Sequence, residues 1–290
     1  MDQAEYLRKL LAERKGQKIS AKSAETIAVI SGKGGVGKSN LSLNLSLSLL
    51  ERNKKVLLID LDIGMGNIDV LLGESSRYSL ADLLQQEMSF QKAMTAGPLG
   101  LQYISGGSGL NSIIELNEQK WSFFSRELEE LLDKYDYVIF DMGAGLTKEQ
   151  LPFVVSSTHI LVVATPEPTS LMDAYSAMKH ITLNKKDLRF HVLMNRCLHQ
   201  REGELAFSKL SKTMRTFLQQ RISYLGNVPE DPLVRKAVTS QLPFVISHPH
   251  SKLSKSIYRV ADAFLHTEEK RVEAKEASFL NKLSAFFKRG

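Results

Sequence analysis

Nine consecutive residues, Ser31-Gly-Lys-Gly-Gly-Val-Gly-Lys-Ser39, are spaced to hold phosphate. Gly32, Gly37, Lys38 and Ser39 satisfy the pattern G-x-x-x-x-G-K-[ST], and the run sits between a β-branched segment and a helical one, the context such a loop requires. Gly34, Gly35 and Gly37, with Val36 between them, let backbone N–H groups curl round phosphate oxygens. The helix that follows, entered through Asn40, turns its positive end toward the anion. Lys38 supplies a point charge to the β/γ-phosphates and Ser39 a hydroxyl ligand for Mg²⁺. Two further acids belong to the same chemistry. Asp60 and Asp62 end the next apolar run, which places both at a strand edge beside the phosphates, where Asp60 could hold the water shell of Mg²⁺ and Asp62 could orient an attacking water. Asp141 ends another apolar run and is followed by Met-Gly-Ala-Gly; it would also hold the metal's water shell, and Gly143 would bring its N–H to the γ-phosphate. Together these residues read as a site for ATP and Mg²⁺.

Positioning them requires strands that deliver their C-terminal ends to one edge. Short β-branched runs at 26–30, 55–60, 137–141, 159–165, 191–195 and 222–228 alternate with helical patterns at 39–52, 118–133, 148–156, 170–182 and 204–219. That alternation predicts βαβ units and a mostly parallel, doubly wound sheet. Runs such as VLLI at 56–59 and ILVV at 160–163 are apolar at every position, as strands covered on both faces must be. We therefore expect an α/β nucleotide-binding domain over 24–267, flanked by short helical extensions at 1–23 and 268–290.

Lys33 adds a second lysine inside the loop. The resulting K-G-G-V-G-K-S, with IDLDIGMGNIDVLLG at 59–73, resembles the MinD/ParA group of deviant Walker A ATPases. The resemblance implies that Lys33 reaches the partner's nucleotide across a two-fold, ATP-dependent homodimer. It makes Lys33, Lys38 and Asp62 the catalytic residues. A second cation near the γ-phosphate fits that role physically, as an arginine finger does. The resemblance further implies that Asn195, Arg196 and the loop Pro229-Glu230-Asp231 hold the adenine. The iron-protein relatives of this group share a cluster through two cysteines per subunit; this chain has one, Cys197.

The two ends point to partners. In 277–289, ASFLNKLSAFFKR, the residues Phe279, Leu280, Leu283, Phe286 and Phe287 recur on one helical face. Six basic residues stand against three acidic ones over 269–290. A short helix with bulky apolar residues and basic flanks suits an anionic membrane surface. At the front, Asp2, Gln3, Ala4, Leu7 and Arg8 resemble the activator segment of the flagellar branch of these ATPases, the FlhG (YlxH/FleN) family. In that family the segment stimulates the signal-recognition-particle-type GTPase FlhF, and the ATPase also acts on flagellar switch (C-ring) proteins. A MinD-type division-site regulator and a ParA-type DNA partition protein are the alternatives; no specific nucleic acid partner is expected.

Composition sets the outer bounds. The chain has 290 residues, 43% hydrophobic and 24% charged, with a net charge of +6. Those proportions exclude collagen, a fully disordered chain and a disulfide scaffold. Residues 1–22 are charged throughout and lack the apolar core of a secretory signal, so the expected location is the cytoplasm, with reversible attachment to the inner face of the cell membrane.

Overall fold

The computed structural model describes residues 23–62, 67–86, 88–106, 118–269 and 279–287, and of residues 84, 118–121, 267–269, 286 and 287 it describes the backbone alone. Asp2, Gln3, Ala4, Leu7 and Arg8 lie outside the described residues, as do the side chains of Phe286 and Phe287. The elements run β1 (Glu25–Ile30), α1 (Lys38–Leu50), β2 (Val56–Leu61), α2 (Asn67–Leu72), α3 (Leu80–Gln86), α4 (Phe90–Ala93), β3 (Thr95–Ala96), a 3₁₀ turn (Pro98–Gly100), β4 (Gln102–Ile104), α5 (Glu118–Leu132), β5 (Tyr137–Met142) and α6 (Leu151–Ser156). They continue through β6 (His159–Ala164), α7 (Pro168–Asn184), β7 (Phe190–Cys197), α8 (Gln200–Leu218), β8 (Ile222–Pro229), α9 (Pro232–Thr239), α10 (Phe244–Ser247), α11 (Lys252–Glu269) and α12 (Phe279–Phe287).

Eight strands form one sheet in the order β3-β4-β2-β5-β1-β6-β7-β8, parallel except for the short β3–β4 pair. The expected doubly wound sheet is therefore present. β2, β5 and β6 are buried at every residue, which is why their sequences are apolar without alternation. Alternate residues of β1 serve opposite faces: Ile27 and Val29 pack beneath α1 and α11, while Ala28 and Ile30 face the core that α6 and α7 cover.

α1 lies deep in the fold, with ten of its residues buried. Its polar residues are satisfied internally. Ser42, Ser46 and Ser48 donate to the carbonyls of Lys38, Ser42 and Asn44 at 3.1, 2.7 and 2.8 Å. Asn44 Oδ1 accepts from the backbone N–H of Val245 at 3.1 Å, tying α1 to α10. Buried polar groups paired in this way cost little.

Helix ends follow local chemistry. α6 starts later than the periodicity predicts, with Pro152 in its first turn, where a missing N–H is harmless. α8 starts earlier, because His199 Nδ1 accepts from the N–H of Glu202 at 3.0 Å and caps it. Among the described residues, no helix is long and apolar enough to cross a membrane.

The terminal helix α12 packs on the fold itself. The Phe279 ring stacks on Phe140, with centroids 5.3 Å apart, and touches Phe153 of α6 at 6.5 Å. Leu283 is fully buried and Leu280 joins the same cluster. The sequence reads this stripe as membrane-binding and leaves its resting place open; in the structure Phe279, Leu280 and Leu283 face inward. The reason is a competing apolar surface. Every residue of α6 is buried, and each large side chain taken from water stabilises this docking by about 1.5–3 kcal/mol.

Candidate nucleotide site

The C-terminal ends of β1, β2, β5, β6 and β7 converge on the loop 31–38. Two of its glycines are required by space. A Cβ on Gly32 would lie 2.1 Å from the carbonyl carbon of Asp173, so the loop presses directly on the α7 backbone. Gly37 has φ 89° and its Cβ would meet Asn195 Nδ2 at 2.6 Å, a conformation and a contact that other residues resist. Asn195 donates from Nδ2 to Val36 O at 2.7 Å, and Arg196 donates from Nη2 to Gly35 O at 2.7 Å. Both residues thus brace the phosphate loop from β7.

Behind the loop lies a buried charge cluster. Lys38 Nζ donates to Asp141 Oδ1 at 2.8 Å and lies 3.4 Å from Ser39 Oγ. Ser42 Oγ donates to the same Asp141 oxygen at 2.9 Å. Sheet register sets Asp60 opposite Asp141, and both carboxylates are fully buried. Burial, reinforced by Asp141, pushes the Asp60 carboxyl up to about 7; a charge removed from water beside another negative group is costly. The N–H groups of Asp62 and Ile68 donate to Asp60 at 2.9 and 3.3 Å and oppose that rise. Asp141 Oδ2 has no hydrogen-bond partner among the described residues. One lysine facing two buried carboxylates, with one oxygen unpaired, suits a divalent cation. Glycine N–H groups and a lysine beside it suit the phosphates of ATP. The residues present therefore fit ATP with Mg²⁺.

The other expected residues fall around this cluster. Ser31, Gly34, Gly35, Gly37, Lys38, Ser39 and Asp62 line one 470 Å³ cavity. Asp62 Oδ2 accepts from Asn67 Nδ2 at 2.8 Å, and a Cβ on Gly143 would stand 2.9 Å from Asp62 Oδ1, so these two meet at the cavity wall. A neighbouring cavity of 620 Å³ is lined by Asn40, Asn195, Arg196, Pro229, Glu230 and Asp231, with apolar walls from Val234, Val238 and Phe244. Its 620 Å³ volume and mixed polar and apolar lining leave room for a group the size of a purine ring. Asp231 also caps α9, accepting from the N–H of Leu233 at 2.9 Å.

Lys33 sits at the outer side of the loop. Its Nζ donates to Glu167 Oε2 at 2.9 Å and to Thr169 Oγ1 at 3.3 Å. This pair is exposed, with Glu167 62% accessible, and Lys33 holds the Glu167 carboxyl below the usual carboxylate range. The sequence reading missed Glu167, Thr169, Asn67 and Gln150. Glu167 follows the end of β6, where the switch-point rule places ligand residues; that was its only signal. Gln150 is buried and donates from Nε2 to Leu61 O at 3.1 Å, which binds the segment before α6 to the end of β2.

Comparison with known proteins agrees with this geometry. The ParA family model, described as NUBPL iron-transfer P-loop NTPase, matches residues 22–265. The antiactivator FleN of Pseudomonas aeruginosa is 35% identical over 237 residues, covering 82% of this chain and 85% of FleN. The flagellum site-determining protein YlxH of Helicobacter pylori is 30% identical over 236 residues, covering 81% of this chain and 80% of YlxH. Among solved structures, the cell-division ATPase MinD of Pyrococcus furiosus superposes with a TM-score of 0.69 at 26% identity, over 84% of this chain and 99% of that one.

Proposed function

The chain belongs to the ParA/MinD family of P-loop ATPases, and from that premise we propose that it is an ATP-operated dimerising switch that controls the number and placement of flagella at the cell membrane. As a member it is an ATPase working with ATP and Mg²⁺. ATP supplies the phosphoryl group transferred to water, and Mg²⁺ supplies positive charge at its oxygens. Lys38 and the N–H groups of 34–37 hold the phosphates. Ser39, Asp60 and Asp141 hold the metal and its water. Asn67 fixes Asp62, whose carboxylate orients a water for in-line attack. Asn195, Arg196 and 229–231 frame the base. Lys33 leaves Glu167 and Thr169 to reach the nucleotide of a second copy; its exposed ion pair is weakly held and readily exchanged.

The observation that carries the switch is the seat of α12. This helix docks on α6, and α6 follows directly on the segment from Asp141 through Gly143 to Gln150. A change at the γ-phosphate position is therefore transmitted to the surface that holds Phe279, Leu280 and Leu283. Release of α12 exposes an apolar stripe with basic flanks to anionic lipid. One such helix binds weakly, and two on one dimer bind with a high effective concentration. Residues 1–22 carry the partner function, with Gln3 approaching the nucleotide site of the GTPase FlhF, and C-ring proteins are further partners. The flagellar reading is favoured over division-site control because the match to FleN combines higher identity with coverage of most of both chains.

Co-sedimentation with phosphatidylglycerol vesicles in ATP and in ADP tests this. Wild-type protein is expected to pellet with ATP only, and Lys33→Ala in neither condition. Equal pelleting in ATP and ADP refutes the switch. In parallel, a peptide of residues 1–22 is expected to stimulate the GTPase, and the Gln3→Ala peptide to fail.

A further inference from the structure

The outer edge of β8 and one face of α11 enclose an 860 Å³ groove that shares only Pro229 with the lining of the base cavity. β8 ends the sheet, so its outward row of N–H and C=O groups meets no described strand. Tyr224, Gly226 and Asn227 line the strand side, and Lys252, Lys255 and Arg259 line the helix side. These three cations are exposed and stand at i, i+3 and i+7, one helical face. No acidic side chain lines the groove. None of the three cations forms an ion pair among the described residues; Arg259 Nε donates only to Lys255 O, at 3.2 Å. The first acid farther along α11, Asp262, is engaged by Arg52 of the loop after α1.

An exposed strand edge is a template for pairing, and proteins blunt such edges with lysines and bulges. β8 has a register shift against β7 between Val192 and Leu193, and the lysines beside its edge are Lys252 and Lys255 of α11. A guard made of charge has a sign, however. It repels a second copy of this basic edge and attracts a strand that carries acids. We propose that the β8–α11 groove receives an extended acidic segment of a partner protein, added to β8 as a further strand with its carboxylates on Lys252, Lys255 and Arg259. The spacing agrees. Seven residues of helix span about 10.5 Å, and alternate residues of a strand recur about every 6.7 Å, so two or three acids at alternate positions reach all three cations. The free edge decides between ligand classes. Its donors and acceptors alternate, and only another peptide backbone satisfies both; a phosphate accepts hydrogen bonds and offers nothing to the carbonyls.

The test uses the full chain and a fluorescein-labelled pool of ten-residue peptides with Asp or Glu at every second position, read by anisotropy. We expect saturable binding that weakens at least tenfold in Lys252→Ala/Lys255→Ala/Arg259→Ala and weakens likewise when the same peptides are N-methylated at alternate backbone nitrogens. ATP hydrolysis by the variant should match wild type. Absence of peptide binding, equal binding by the N-methylated pool, or full binding by the variant would overturn the proposal. So would binding of a 20-base-pair duplex or of phosphatidylglycerol vesicles through these three residues in place of the peptides.

Discussion

Replacing Lys38 by methionine measures how the two buried acids are tolerated. The ammonium of Lys38 is the one cation on Asp141 among the described residues, at 2.8 Å, with Lys38 6% and Asp141 0% accessible. Asp60 lies on the neighbouring strand in register. Removing one member of a buried ion pair costs about 3–5 kcal/mol, because the other charge stays buried without compensation. Asp60, already pushed up to about 7 with Lys38 in place, takes up a proton when that cation is removed, so repulsion between the two acids adds little and the loss is set by the stranded Asp141. Adding Asp141→Asn removes the stranded charge, so the double variant should recover most of the loss. The assay is urea unfolding followed by circular dichroism, with EDTA and no nucleotide. Lys38→Met should lose about 3–5 kcal/mol and the double variant less than about 2, a strongly non-additive cycle. A Lys38→Met protein within about 1 kcal/mol of wild type, or losses that simply add, would refute the account of the cluster. All of these variants should lose ATP hydrolysis, so stability is the informative readout.

Glu167→Gln releases Lys33 and should lower the ATP concentration needed for dimerisation, seen by light scattering; an unchanged ATP dependence counts against the latch. Leu283→Ala removes a fully buried side chain, a loss of about 2–5 kcal/mol, and should speed amide exchange over 279–287 while leaving the sheet protected; equal acceleration in the sheet would mean that the helix does not open by itself. Burial, then the neighbouring His159, holds the His191 imidazole down to about 3. Its neutral form is therefore the folded form, and its contribution is complete above about pH 6.5 and lost as pH falls toward 3. Glu25, whose carboxylate lies 3.5 Å from His159 Nε2, and the edge-on Phe264 ring complete the surroundings. His191→Leu should flatten the acid limb of the stability–pH curve by about one proton, or ~1.4 kcal/mol per pH unit, in urea titrations; parallel curves would contradict this.

What the sequence reveals follows the range of the forces involved. β2 and β6 declare themselves because burial on both faces demands an unbroken apolar run. The phosphate loop does so because glycine, lysine and serine act within nine residues. β3 and β4, two and three residues long, carry too little pattern, and they exist through pairing with each other and with β2. Glu167 and Lys33 are 134 positions apart, so no local spacing announces them. The stripe of α12 was legible as apolar, but its occupant was not, since α6 offers the same chemistry as a membrane. Asn195 shows a related gap. Its place near the end of β7 marks it for the nucleotide side, yet its amide is spent on the loop carbonyl of Val36.

α1 sets the limits of any mechanism built on this fold. Clasped between sheet and α11 and stitched along its own serines, it is an anvil and not a lever: sliding it would tear apart contacts on every side at once. In the proposed switch the phosphate grip it carries would stay constant, and the difference between states would fall to softer parts: a surface lysine changing partners, the segment between β5 and α6, and a terminal helix held by a few rings.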